Sequence, residues 1–352
     1  MKRVFAQARY NKWKSQSALK ALRAKSHRKK RREIYRLLFR EYMSLPSQDP
    51  IEAPEDFRLM NEPGKCLAFF KRIRSKDSLY YTDGSFVLPL NLKGIQKIDY
   101  CSVSILKALM LNFKPKNINV QGSTPTNSIC LNYLVDSGFF DGLLDLNNKP
   151  IHLKAKSDRI LFTKGAGSLS DSEDMYLINT LKKVRYYLTG EKGHCPQLRT
   201  IILEICGNSI EHSESFKNQW IFGVKYEDQK VIITLTDTGK GILGTLYRKL
   251  GRKFTDFVSK TRVEILAGAF DKKYESKTLD TNRNKGLPAV KHRFENGYIK
   301  GLLVITNNVI LNFENPSLSQ VLNESIGFNG TIFKMELDKT CFTNEKYNLH
   351  TK

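Results

Sequence analysis

The order of apolar segments in the second half of the chain constrains the fold more than any other feature. Residues 175–188 and 198–212 carry apolar side chains at helical spacing. Strand-like runs follow at 220–226, 231–236, 301–306, 309–313 and 331–337. Helices first and mostly antiparallel strands after them fit a two-layer α+β sandwich, in which helices cover one face of a sheet.

The first half reads differently. With 352 residues the chain exceeds one ordinary core. Residues 1–46 read as a basic helical arm, ended by Ser44-Leu45-Pro46-Ser47, and the Pro- and acid-containing stretch 47–63 as a linker. A compact α/β pattern occupies 64–162, with a strand at 85–92, a helix at 103–110, a strand at 117–122 and a helix at 128–140. Pro89 marks the first of these strands as an edge or a bulge. Thr163-Lys164-Gly165-Ala166-Gly167-Ser168, with the acids that follow, has loop composition and is taken as the boundary to a domain at 170–340, leaving 341–352 as a tail.

Charge is concentrated at one end. The net charge is +23, and residues 1–44 hold fifteen Lys or Arg against two acids, so this block implies a polyanionic partner. Phe5, Tyr10 and Trp13 alternate with Lys2, Arg3, Arg9, Lys12 and Lys14, a mix that can stack bases and neutralise phosphates. An aromatic stripe packed on the protein body, with solvated lysines, explains the same pattern. The six cysteines show no C-x-x-C spacing, which argues against a zinc site and a disulfide framework and for small buried side chains in a reducing compartment. No apolar run reaches about 18 residues, so no spanning helix is expected. The N-terminus lacks a signal-peptide core, and a cytoplasmic location is expected.

Four short motifs carry the chemistry. Glu204-x-x-x-Asn208 places a carboxylate and a carboxamide one helical turn apart on one face. Asp237-Thr238-Gly239-Lys240-Gly241 closes a strand, Asn284-Lys285-Gly286-Leu287-Pro288 opens a helix, and Asn329-Gly330-Thr331 precedes the last strand. Taken singly, Glu204 reads as a solvated helix residue, Asn208 as a buried amide and Asp237-Thr238-Gly239 as a hairpin turn. No G-x-x-x-x-G-K-[ST] occurs, so a nucleotide site here would not use the common phosphate loop.

In this order and context the four motifs resemble the helical box, two glycine boxes and terminal box of the GHKL, or histidine-kinase-like, ATPase fold. The closest likeness is to the ATP-binding domains of anti-sigma serine kinases. The resemblance implies an ATP and Mg²⁺ site. In it Asn208 offers its carbonyl oxygen to Mg²⁺, and Glu204 orients or deprotonates a water beside the γ-phosphate. Asp237 accepts the adenine amino proton and rejects guanine's carbonyl. Gly239 and Gly241 let the backbone approach base and sugar, and Thr331 holds Asp237 or a bridging water. Lys285, Gly286 and Leu287 form the phosphate-facing start of a helix, and residues 242–285 form a lid. Residues 92–99, leading into a helix, resemble more weakly a STAS-type domain of the anti-anti-sigma class. That class usually reads Asp-Ser where this chain has Asp99-Tyr100-Cys101-Ser102.

The departures narrow the activity. Glu211 stands where histidine kinases usually carry Lys, and no histidine precedes an acid, which argues against a sensor histidine kinase. Pro288 replaces a glycine and removes one backbone donor. The leading expectation is an ATP-driven regulatory switch that hydrolyses ATP slowly and signals to a protein partner. A serine/threonine kinase of the anti-sigma type and a nucleic-acid-binding protein with a nucleotide sensor are the alternatives. The oligomeric state, a homodimer included, stays open.

Overall fold

The computed structural model describes residues 49–82, 85–113, 116–141, 160–166, 171–212, 219–250, 260–271, 286–323 and 325–343. Of residues 82, 160–166, 208–212, 219 and 248–250 it describes the backbone alone. The arm expected at 1–46, Lys285 and residues 344–352 of the tail expected at 341–352 therefore lie outside it.

The N-terminal unit comprises β1 (Ile51–Glu52), β2 (Asp56–Phe57), α1 (Pro63–Ile73), β3 (Tyr80–Thr82), β4 (Ser85–Asn91), β5 (Lys97–Ile98), α2 (Tyr100–Phe113), β6 (Ile118–Ser123) and α3 (Ser128–Asp136). β4 lies in the middle of a four-stranded sheet, parallel to β1 and β6 and antiparallel to β3. Pro89 therefore sits in a central strand, not on the edge that its ring suggested. On one side of β4 the β3 pairing ends at Val87 and the β1 pairing begins at Leu90, so a residue without an N–H falls in a gap of the ladder. Asp99 caps α2 by accepting the Ser102 amide at 2.8 Å. Asn127 caps α3, its Oδ1 accepting from Ile129 and Cys130. α3 ends before Gly138, at φ +65°. The buried Lys107 ammonium closes that turn by donating to the carbonyls of Gly138, Phe139 and Asp141 at 2.7–2.9 Å.

The larger sheet contains β7 (Ile160–Ala166), β8 (Gln219–Glu227), β9 (Lys230–Asp237), β10 (Lys300–Asn307), β11 (Val309–Asn312), β12 (Gln320–Val321) and β13 (Phe328–Leu337). It has seven strands in the order β12-β11-β10-β13-β9-β8-β7, all antiparallel. Among the described residues five helices accompany it: α4 (Asp171–Thr189), α5 (Pro196–His212), α6 (Gly241–Leu250), α7 (Arg262–Phe270) and α8 (Gly286–Glu295). The stretch 163–168, expected as a boundary loop, is strand as far as Ala166 and pairs with β8 from Thr163↔Phe222 to Ala166↔Gln219. Strand pairing across a sheet overrides local composition here.

Side chains alternate across this sheet with the period of a strand. Val231, Ile233 and Leu235 of β9 join Leu302, Val304, Phe333 and Met335 in one core with the helices. The opposite face, with Leu303, Ile305, Ile310 and Ile332, shares a second core with Phe57, Phe70, Leu106 and Leu109 of the N-terminal unit. Every residue of α2 except Leu111 is buried, as a helix must be when sheets lie on two of its sides. It packs on β6 and across β8, β9 and β13. The two layers expected for 170–340 are thus joined by two more: helices, large sheet, α1 and α2, small sheet. Among the described residues no helix is long and apolar enough to cross a membrane.

Candidate functional site

The strand register brings four residues into one row at the end of the large sheet. Thr306 faces Thr331, Thr331 faces Asp237, and Asp237 faces Trp220. All four follow the alternation that points Val231, Ile233 and Leu235 toward the helices. Three of the four are buried, Thr306, Thr331 and Trp220 at 0%, 3% and 5% exposed, and Asp237 is half-buried. Two residues from the sequence motifs, Asp237 and Thr331, are therefore direct cross-strand neighbours although 94 positions apart.

The Asp237 carboxylate accepts the Gly239 amide at 2.8 Å, a turn in which the side chain organises the backbone two residues on. Beyond it the chain enters α6 through Gly241, at φ +78°. A Cβ there would lie 2.5 Å from Asn307 Oδ1 and 2.7 Å from Thr306 Oγ1. The protein's own packing therefore requires glycine at 241. Thr306 Oγ1 accepts the Ile242 amide at 2.8 Å and lies 3.2 Å from Thr331 Oγ1. Asn307 donates to the Lys240 carbonyl at 2.9 Å and accepts from the Gly244 amide at 3.3 Å. Gly330, at φ +146°, lies so close to β9 that a Cβ would meet the Asp237 carbonyl at 2.3 Å.

Helix α5 lies over this end of β9. Its stripe of Leu198, Ile201, Ile202, Ile205 and Cys206 enters the helical core. Burial pushes the Cys206 thiol up, and the carboxylates of Asp237 and Glu173 add to that, so the helix passes near the row. Glu204 is half-buried beside the stripe. It stands seven residues after Gln197, on the same helix side. Gln197 accepts a hydrogen bond from Arg293 of α8 at 3.1 Å. Asn208 lies in the same helix, and its side chain is outside the description. Gly286 and Leu287 open α8, the first buried and the second half-buried against the helical core. Pro288 is the third residue, within the first turn whose amides have no helical partner.

The lid expected over 242–285 is in part core. Leu243, Ile265, Leu266 and Phe270 are fully buried, and Thr261 with Glu264 forms a capping box at the start of α7. Arg262 donates to Asn308 Oδ1 at 2.7 Å. What remains for a lid, 251–259 and 272–285, lies outside the described residues. All six cysteines are free and buried, and no cluster of metal-ligating side chains occurs among the described residues.

Sequence reasoning missed Thr306, Asn307 and Trp220, and also Arg74 and Asn112, which reach Thr238 from the other side of the sheet. The pair Asn307-Asn308 after an apolar strand was the one local signal; Asn307 takes a left-handed φ of +55° at the β10–β11 turn. The others become visible only through register and packing.

No family model and no curated protein matches this chain. Among solved structures it resembles the nucleotide-free catalytic domain of the histidine kinase ThkA. That match covers 51% of this chain and 97% of that one at 14% identity and a TM-score of 0.24, a distant likeness that leaves the reading of the site to its own geometry.

Proposed function

We propose that the chain binds ATP at the strand-end row and works as an ATP-dependent switch, hydrolysing ATP slowly. The observation that carries this reading is Asp237, an acceptor-only, half-buried carboxylate held between the buried Thr331 and Trp220. The row also contains a donor with no bond to satisfy it. The Trp220 indole N–H is buried without a hydrogen-bond partner among the described residues. A half-buried carboxylate acceptor beside a buried, unmade donor suits a planar base that offers an amino group next to a ring nitrogen, as adenine does. Guanine presents a carbonyl where that amino group would be, and the carboxylate repels it.

The remaining roles follow from residue chemistry. Asn208 would hold Mg²⁺ through its carbonyl oxygen, and Lys285 with the first amides of α8 would bind phosphate. Bound Mg²⁺ neutralises phosphate charge. Glu204, in the same helix as Asn208, would orient or deprotonate the attacking water. Thr331, 3.2 Å from Thr306, fixes the row in which Asp237 sits. Tyr100 is 3% exposed and Ser102 is fully buried, so neither residue at the STAS-like turn can be reached as a phosphate acceptor. This supports the switch over self-phosphorylation, and a kinase activity would need an external hydroxyl.

The test follows the γ-phosphate of labelled ATP with Mg²⁺. Wild type is expected to bind ATP and release free phosphate. Glu204→Ala should bind without release, and Asp237→Asn should lose affinity by about ten- to hundredfold. Label retained on an added protein would favour the kinase reading. A wild-type chain that binds no ATP would overturn the proposal.

A further inference from the structure

Two residues of the N-terminal unit grip the strand ends that carry this row. Arg74, the residue after α1, donates from Nη2 to the Thr238 carbonyl at 3.2 Å and from Nη1 to the Asn329 carbonyl. Its guanidinium carbon lies 5.9 Å from the centre of the Phe328 ring. Asn112, in the last turn of α2, donates from Nδ2 to Thr238 Oγ1 at 2.7 Å. Thr238 follows Asp237 in sequence, and Asn329 precedes Thr331, its cross-strand partner, by two residues. One guanidinium therefore spans the ends of β9 and β13 on either side of the Asp237–Thr331 pair.

These bonds do not serve strand pairing. The two strands are already in register from Thr331↔Asp237 to Leu337↔Val231. The bonds fix Thr238 and Asn329, which lie just past the last β9–β13 pair. They also come from the sheet face opposite the row, so Arg74 and Asn112 act on a ligand only through the residues they hold. Burial draws the Arg74 pKa down and the Asp237 carboxylate opposes this, which places the two charges in reach of each other across the sheet.

We propose that Arg74 and Asn112 are positioning residues for the nucleotide-reading end of the sheet, so that docking of the N-terminal unit sets both the affinity and the base preference of the site. The inference rests on the ATP reading above. Reciprocity makes it a regulatory link: whatever loosens the N-terminal unit weakens ATP binding, and bound ATP strengthens docking by the same factor. The partner signal would then enter or leave through the small α/β unit.

The full-length chain tests this with ATP and GTP, each with Mg²⁺, as probes. Arg74→Met is expected to weaken ATP binding about tenfold, a loss typical of a charged hydrogen bond, and to narrow the ATP-over-GTP ratio. Arg74→Lys should recover part of both. Asn112→Ala and Thr238→Val should each cost about threefold, and the double variant no more than one of them, because they share one bond. In the nucleotide-free chain, amides at 238–240 and 329–331 should exchange faster in Arg74→Met, while those at 303–305 keep wild-type protection. Thr238→Val, which exchanges one hydroxyl for a methyl, carries the test if Arg74→Met fails to fold. Wild-type ATP affinity and ATP-over-GTP ratio in folded Arg74→Met and Thr238→Val, with Asp237→Asn still impaired, would overturn this inference alone. No ATP binding by wild type would overturn it together with the ATP reading.

Discussion

The two faces of the seven-stranded sheet are built from the same strands and closed in different ways. Toward the helices β9 presents Val231, Ile233 and Leu235, apolar up to the last position, where Asp237 appears. Toward the N-terminal unit it presents Ile232, Thr234 and Thr236. Ser104 of α2 meets the Thr234 and Thr236 hydroxyls at 3.2 and 2.7 Å. Apolar contact alone is non-directional and lets a packed helix slide, whereas a buried hydroxyl must find its partner. The helical face thus supplies a core that ends in the row of Asp237 and Thr331. The other face supplies a seat with a defined register, from which Arg74 and Asn112 act.

Four measurements can break or sharpen that contrast. The largest effect is expected at Gly330, where β13 touches β9 between the two faces. Gly330→Val should cost about 3 kcal/mol or more in urea denaturation, because both the φ and the 2.3 Å approach to the Asp237 carbonyl exclude a side chain. A mild effect would mean that the strand ends are not held as described. Next come Ile332→Ala on the N-terminal face and Ile233→Ala on the helical face, both wholly buried. Each should cost about 2–5 kcal/mol. A loss under about 1 kcal/mol for Ile332→Ala alone would show the N-terminal seat to be loose, and the two faces then differ in strength as well as chemistry.

Ser104→Ala should cost about 1 kcal/mol, the net worth of a buried hydrogen bond, read from the same denaturation curves. The smallest effect concerns acid, at the far end of the sheet. Burial pushes the Asp338 carboxyl up, but hydrogen bonds from Lys300 and Thr340 outweigh it and bring the pKa from 3.8 to about 2. A carboxyl whose pKa is depressed on folding contributes stability above its unfolded value and loses it as pH falls through the folded one. Lys300→Met should therefore flatten the loss of stability between about pH 4 and pH 2 by a few tenths of a kcal/mol, since the pair is partly exposed.

What could be foreseen divides along the same line. Strands at 219–227, 230–237, 300–307 and 328–337 were legible from alternation, and helices at 171–189 and 196–212 from their apolar stripes, because both signals are local. Asp237 and Thr331 were legible as members of motifs. The resemblance implied that Thr331 holds Asp237 or a bridging water, but the register that makes them cross-strand neighbours was not legible, since pairing between β9 and β13 is set by packing on both faces. Pro89 misled because a gap in a ladder is invisible from one strand. The stretch 163–166 misled because an edge strand needs only one partner to override a loop-like composition. Arg74 and Asn112 lie 164 and 126 residues from Thr238, and nothing in their own neighbourhoods marks them.

Trp220 has an optical consequence. The chain has two tryptophans, Trp13 and Trp220, and Trp13 lies outside the described residues. A Trp13→Phe chain would carry a single indole, shielded from water and opposite Asp237 in the row. Its fluorescence would be short in wavelength in the empty protein. Formation of the missing N–H bond would shift it, so the proposed site would contain its own reporter for filling and for unfolding, with no label attached.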